Sequence, residues 1–194
     1  MSDYFVEPFV DTGLGNSAYI LSSHETKKGV LIGPLHDADR CLASANQHWI
    51  QFTHVLDTHL HADFVSGSRE LAAHTGAQIG ASAEAKLGFE YRPLTENDVL
   101  DFGAFQLRVT STPGHTPEHI SFLVVDADGK TPSAIFSGGA LIVGGAARTD
   151  LLAPDSMAAI SVLRRRGYRN VILVDGGFNK WRKNGFEVVT DQQL

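Results

Sequence analysis

Two histidine-bearing segments that lie far apart in the chain constrain its fold most strongly. The sequence His-Leu-His-Ala-Asp-Phe occupies residues 59–64 and follows an apolar strand pattern, and Thr-Pro-Gly-His-Thr-Pro occupies residues 112–117. Proline and glycine fix a tight turn in the second segment, so its imidazole projects from a loop. We expect a fold that brings the two segments to one metal site.

The residue types in these segments predict metal ligands. Residues i and i+2 of an extended segment point to the same side, so His59 and His61 can face one ion, and Asp63 continues the spacing. We predict that His59, His61 and His115 bind the metal and that Asp63 is the catalytic carboxylate. Three neutral imidazoles with an open position suit catalytic zinc, whereas two histidines and a carboxylate suit non-haem Fe(II). Surface or core roles are assigned to the other histidines: His24, His36, His48, His54, His74 and His119.

Composition narrows the class of protein. The chain has 194 residues, of which 43% are hydrophobic and 20% charged, with a formal net charge of -6. These values are typical of one ordinary globular domain, with room for a fragment of a second. The acidic balance argues against nucleic acid or an anionic membrane as partner. No leader or membrane-spanning pattern is visible, so we expect a cytoplasmic protein. Cys41 is the only cysteine, which leaves nitrogen and oxygen as ligands.

The order of predicted elements indicates an α/β fold. Residues 3–35 are typical of an antiparallel meander, and a helix capped by Asp37 leads to a buried strand at 53–58. A helix is predicted from Asp63 to about Thr75, followed by a short strand at 77–80. Further strands are predicted at 98–102, 105–111, 119–125 and 134–136, with a turn at Asp128 and Gly129. Asp57 and Asp150 are candidates either to orient a ligating imidazole or to lie at turns or on the surface.

The histidine motifs resemble the metallo-β-lactamase-fold superfamily. More narrowly, residues 62–68, 136–141 and 145–151 resemble the persulfide dioxygenase branch, which is related to glyoxalase II. The resemblance covers about residues 1–153 and implies an αββα sandwich, here incomplete. It also implies a mononuclear iron held by two histidines and an aspartate, at the positions of His59, His115 and Gly139.

Two positions depart from the family pattern. Gly139 offers no side chain where the family supplies its carboxylate, and Phe64 stands where the superfamily usually has a histidine for a second metal. A third departure is that no histidine follows His119. The resemblance therefore implies one Fe(II), with zinc as the alternative, or no metal because the carboxylate is missing. A binuclear site is not expected.

The segment after Pro154 resembles the C-terminal end of a rhodanese domain. We predict a metallo-β-lactamase-like domain at residues 1–153 and a short rhodanese-like α/β fragment at 156–194. The chain then looks like a fusion whose middle has been deleted. No cysteine follows Cys41, so sulfurtransferase activity is not expected. The missing part would expose strand edges, which predicts self-association into a homo-oligomer.

Three functions follow from these observations. The first is a persulfide dioxygenase-like enzyme of sulfide and thiol persulfide metabolism that oxidises a small persulfide to sulfite, with a degraded metal site. The second is a zinc-dependent hydrolase of a thioester or similar substrate. The third is a non-catalytic remnant that acts as a binding or assembly module.

Overall fold

The computed structural model describes residues 3–11, 13, 15–62, 64–142 and 145–146. Their strands form a six-stranded sheet in the order β1-β2-β3-β4-β5-β6 and a four-stranded sheet in the order β10-β9-β8-β7, together with a two-stranded hairpin. The six-stranded sheet comprises β1 (Tyr4–Val10), β2 (Ser17–Ser23), β3 (Lys28–Ile32), β4 (Gln51–Leu56), β5 (Gln78–Ser82) and β6 (Arg92–Leu94). The four-stranded sheet comprises β7 (Val99–Asp101), β8 (Phe105–Ser111), β9 (Ile120–Asp126) and β10 (Pro132–Phe136), and the hairpin pairs β11 (Leu141–Ile142) with β12 (Gly145–Ala146).

The first sheet changes from antiparallel to parallel halfway across. Strands β1 to β3 form the predicted antiparallel meander, and β3 to β6 run parallel. Helices α1 (Ala38–His48) and α2 (Ser68–Thr75) supply the connections into β4 and β5. Parallel strands need such crossovers. The carboxyl ends of β3, β4 and β5 therefore meet at one edge of the sheet, which is where α/β folds usually bind ligands.

Two apolar clusters hold the layers together. One lies between the sheets, where Leu21 and Leu56 of the first sheet pack with Phe105 and Phe122 of the second. The other lies between the first sheet and the helices, and it includes Cys41, which is buried as a small apolar residue. The described residues thus form a helix layer and two sheets, which confirms the predicted α/β class. The 156–194 segment and the boundary near Pro154 lie outside the described residues and stay predictions.

Several predicted boundaries move. Helix α2 begins at Ser68 and not at Asp63, because Gly67 precedes it in close contact with the backbone of Leu35. Helix α1 ends at His48, since Trp49 adopts a left-handed conformation with φ of 59°. Asp37 occupies the N-cap position but forms no side-chain capping bond. Strand β6 and the β11–β12 hairpin were not predicted from the sequence, because their strands have only three and two residues.

Candidate metal centre

The histidine-bearing segments meet where the two sheets touch. His59 and His61 follow the carboxyl end of β4, and His115 lies in the connection between β8 and β9. The backbone N–H of Ile120, at the start of β9, donates to the carbonyl of Thr58 at 2.9 Å. This bond ties the two segments together. The structure brings these distant histidines together, with His59 and His61 in the loop that follows β4.

The imidazole rings lie close enough to share an ion. The ring centroid of His59 is 4.2 Å from that of His61 and 4.7 Å from that of His115. Nitrogen-to-metal bonds of 2.0–2.1 Å would place two such centroids roughly 5 Å apart around a tetrahedral ion. Nevertheless, in the part of the chain that the structure describes, no three histidine, cysteine or acidic side chains form a ready-made metal-binding group. Residue types and spacing fit a metal, but the rings must reorient to bind it. Asp63 lies outside the described residues.

A fourth histidine joins this cluster. His119 is 1% exposed, and its ring stacks on that of His59 at 4.9 Å with an interplanar angle of 21°. Its Nδ1 shares a 2.9 Å hydrogen bond with Thr112 Oγ1, while its buried Nε2 has no hydrogen-bond partner. A core role was among the predictions for His119, but its contact with His59 was missed. The available signal was its position four residues after His115.

Burial keeps the deepest imidazoles neutral. Desolvation, with smaller contributions from the neighbouring imidazoles of His119, His61 and His115, lowers the pKa of His59 to about 2. Burial likewise lowers the pKa of His119 to about 3. A hydrogen bond of 2.9 Å joins His59 Nδ1 to Thr58 Oγ1. When Nδ1 donates in that bond, Nε2 carries the lone pair that a metal requires.

Two consecutive glycines close the other side of the cluster. Gly138 has φ of +49°, and a β-carbon there would lie 2.7 Å from Thr58 Cβ and 2.9 Å from His119 Nε2. A β-carbon at Gly139 would lie 2.7 Å from His115 Nε2. The His115 ring therefore occupies the space that a side chain at position 139 would need. The space that a carboxylate at position 139 would occupy is filled by the His115 imidazole.

Phe64 packs against the outer histidine. Its ring centroid lies 4.1 Å from that of His61. An aromatic ring supplies no ligand, so the space beside His61 is apolar where a second metal ion would need a donor.

A pocket of about 320 Å³ opens beside His59 and His61. Asp57 also lines it and accepts a 2.8 Å hydrogen bond from Ser66 Oγ. Burial raises the pKa of Asp57 to about 6, although bonds from serine hydroxyls oppose the shift. Asp57 therefore anchors the loop that follows the histidines. Asp150, the other candidate for orienting a ligand, lies outside the described residues.

The fold and this cluster define a two-sheet α/β domain with a histidine site at the sheet edge. Residues 10–174 match the family model described as the metallo-beta-lactamase superfamily, and the chain belongs to that superfamily. The matched region extends past residue 154, so the family match does not support a domain boundary near Pro154.

Relatives of two kinds resemble the chain at similar levels. It is 34% identical over 130 residues to the mouse hydroxyacylglutathione hydrolase-like protein, covering 67% of this chain and 46% of that protein. It is 32% identical over 140 residues to the mouse mitochondrial persulfide dioxygenase ETHE1, covering 68% and 50%. The chain thus spans about half the length of these relatives. The crystal structure of ETHE1 from Myxococcus xanthus superposes with a TM-score of 0.73 at 29% identity, covering 83% of this chain and 68% of that one.

Among the described residues, no helix has the length and apolar content needed to cross a lipid bilayer. The cytoplasmic location and the homo-oligomer stay predictions.

Proposed function

We propose that this chain is a metal-dependent persulfide dioxygenase-like enzyme that uses one Fe(II) held by His59, His61 and His115. The contact between Phe64 and His61 carries this proposal, because it leaves the histidine cluster with apolar space where a second metal would bind. A site restricted to one metal agrees with the mononuclear branch that the sequence resembles. The relatives named persulfide dioxygenase support the same reaction class.

The overall reaction would convert a persulfide RSSH, O₂ and water into the thiol RSH and sulfurous acid, so that the outer sulfur is oxidised and O₂ is reduced. Bound iron would supply the activation of O₂. The residues of the chain would position the reactants: Thr58 orients the His59 ring through Nδ1, and Asp57 holds the loop that borders the pocket. Asp63 is proposed as the carboxylate that completes the site.

Metal content and sulfur-dependent O₂ consumption test this proposal. Protein purified anaerobically with Fe(II) is compared with His59→Ala, His115→Ala and the control His24→Ala, whose histidine is exposed in a turn. We expect about one iron per chain in the parent and the control, and loss of iron and O₂ uptake in the two site variants. Parent protein with far less than one metal per chain, unchanged by either site substitution, contradicts every enzymatic function proposed here.

Two other functions each have a supporting observation. The described donors are all imidazoles, a set that suits zinc, and one relative is a hydroxyacylglutathione hydrolase-like protein. Zinc retention with thioester hydrolysis and no O₂ uptake would select that reaction. A non-catalytic binding module is favoured by the lack of a ready-made metal group among the described side chains. Absence of metal in a folded parent would select it.

A further inference from the structure

The pocket beside the histidines contains a guanidinium group. Arg69 lies on helix α2, is exposed, and lines the same pocket as His59 and His61. Its Cζ atom lies 5.2 Å from the ring centroid of Phe89, which also lines the pocket. The aromatic face holds the planar guanidinium by a cation–π contact. Arg69 is the only lysine or arginine among the described residues that line this pocket.

The acidic side chains that line the pocket form hydrogen bonds with groups other than Arg69. Glu118 Oε1 accepts from the backbone N–H of Leu60 at 2.9 Å, and Asp57 accepts from Ser66. Across the described ranges, Arg69 forms no ion pair, and its guanidinium contacts the ring of Phe89. A guanidinium presents five N–H donors in a rigid fork that matches an oxyanion. Arg69 therefore brings unused hydrogen-bond donors to a pocket that already contains imidazoles.

The wall between these polar groups is largely apolar. Leu60 and Val65 are 46% and 75% exposed, respectively, and both line the pocket together with Leu87. Large exposed apolar side chains that border a concave site commonly contact a ligand. A matching ligand would combine an apolar middle section with an anionic end.

We propose that Arg69 determines substrate specificity by binding a carboxylate or phosphate of the substrate, whose sulfur end lies at the histidine cluster. This inference rests on the proposed function and narrows its substrate class to small thiol derivatives that carry an oxyanion. Arg69 acts in binding and is not a catalytic residue. Hydrogen sulfide and uncharged alkyl persulfides would lack the group that it recognises.

Binding of unreactive thioethers to metal-free protein tests the inference by calorimetry. The probes are S-methylglutathione, its dimethyl ester, and S-methyl-4′-phosphopantetheine. Loss of a charge-assisted hydrogen-bonding partner should raise the Kd about 10- to 100-fold. We expect this increase for Arg69→Met with at least one anionic probe and a smaller one for Arg69→Lys, which keeps the charge but loses the fork. The ester should bind the parent and Arg69→Met equally weakly. The carboxylate and phosphate probes distinguish the two oxyanions.

Arg40→Met is the matched control. Arg40 is also exposed on a helix, its Cζ lies 5.9 Å from the ring centroid of Phe9, and it does not line the pocket. Unchanged affinity in this variant, with weaker binding in Arg69→Met, supports the inference. The inference is overturned if neither anionic probe binds the parent at millimolar concentration, if Arg69→Met binds both anionic probes like the parent, or if Arg40→Met is equally impaired. If the anionic probes bind in an Arg69-dependent way but the iron-loaded protein consumes no O₂, the proposed reaction is refuted and the inference about Arg69 is not.

Discussion

Replacing Gly138 by alanine should destabilise the chain more than replacing Gly76 or Gly88, whose ideal β-carbons lie in open space. Two costs add at this position. An alanine must adopt φ of +49°, and its β-carbon must displace Thr58 Cβ at 2.7 Å and His119 Nε2 at 2.9 Å. The left-handed conformation costs about 1–2 kcal/mol, and overpacking a closely packed site costs about 1–3 kcal/mol. The free energy of unfolding should therefore fall by about 2–5 kcal/mol.

Two control substitutions separate these costs. Gly76 has φ of +71° with no atom within 4 Å of its ideal β-carbon, so Gly76→Ala should lose only the conformational part, about 1–2 kcal/mol. Gly88 has the same open space and no left-handed φ, so Gly88→Ala should change stability by less than about 0.5 kcal/mol.

Urea unfolding of metal-free protein, followed by far-ultraviolet circular dichroism, measures all three glycine variants. The slope m must stay constant for the comparison of midpoints to hold. If the losses of unfolding free energy in Gly138→Ala and Gly76→Ala differ by less than about 0.5 kcal/mol, Thr58 and His119 do not pack against Gly138 as described.

Three further predictions concern the site and the core. The folded pKa values of His59 and His119 lie below the unfolded value near 6.5, so the unfolded state binds more protons in acid. Metal-free protein should therefore lose about 1.6 kcal/mol of unfolding free energy per imidazole between pH 6.5 and 5. His119→Phe should flatten this slope in urea titrations at several pH values, and an unchanged slope would refute the assignment. Gly139→Asp and Gly139→Ala should both destabilise the chain, and neither should raise Fe(II) affinity in a chelator competition, because the His115 ring occupies the space that a side chain at position 139 needs. A clearly higher affinity in Gly139→Asp would show that this packing is wrong. Phe122 is buried between the sheets, and Phe122→Ala should lower the free energy of unfolding in urea by about 3–5 kcal/mol. The control Val99→Ala, at an exposed position, should lower it by less than about 1 kcal/mol. Similar losses in the two variants would contradict the described core.

The sequence predicted the elements that have strong local patterns. The meander of β1 to β3, the turn at Gly129 and the helix stop at Gly76 follow from alternating apolar residues and from glycines with left-handed φ of 68° and 71°. Convergence of His59, His61 and His115 was predicted from the residue types in the two segments and from their resemblance to a known metal-binding superfamily. Sequence spacing alone could not have placed the rings, because their positions depend on how the two sheets pack.

The features that were missed depend on tertiary contacts. His119 was not linked to His59, since a single histidine before a strand has the same local pattern whether it packs in a core or beside a site. Helix α2 begins later than predicted because Gly67 packs against Leu35, a residue more than thirty positions away. The pairing of Arg69 with Phe89 likewise joins a helix to a distant loop.

The hydrogen bond from Ile120 to Thr58 connects the histidine site to the order of folding. One end lies in the loop after β4 of the first sheet and the other at the start of β9 in the second sheet, so the bond forms only after segments about sixty residues apart have docked. Contacts of such long sequence separation form slowly. Exchange of the Ile120 amide hydrogen with solvent requires the sheets to part at this edge, and its protection factor would report the free energy of that opening. Any ligand that binds the histidines should slow this exchange, because it would bridge the same two segments.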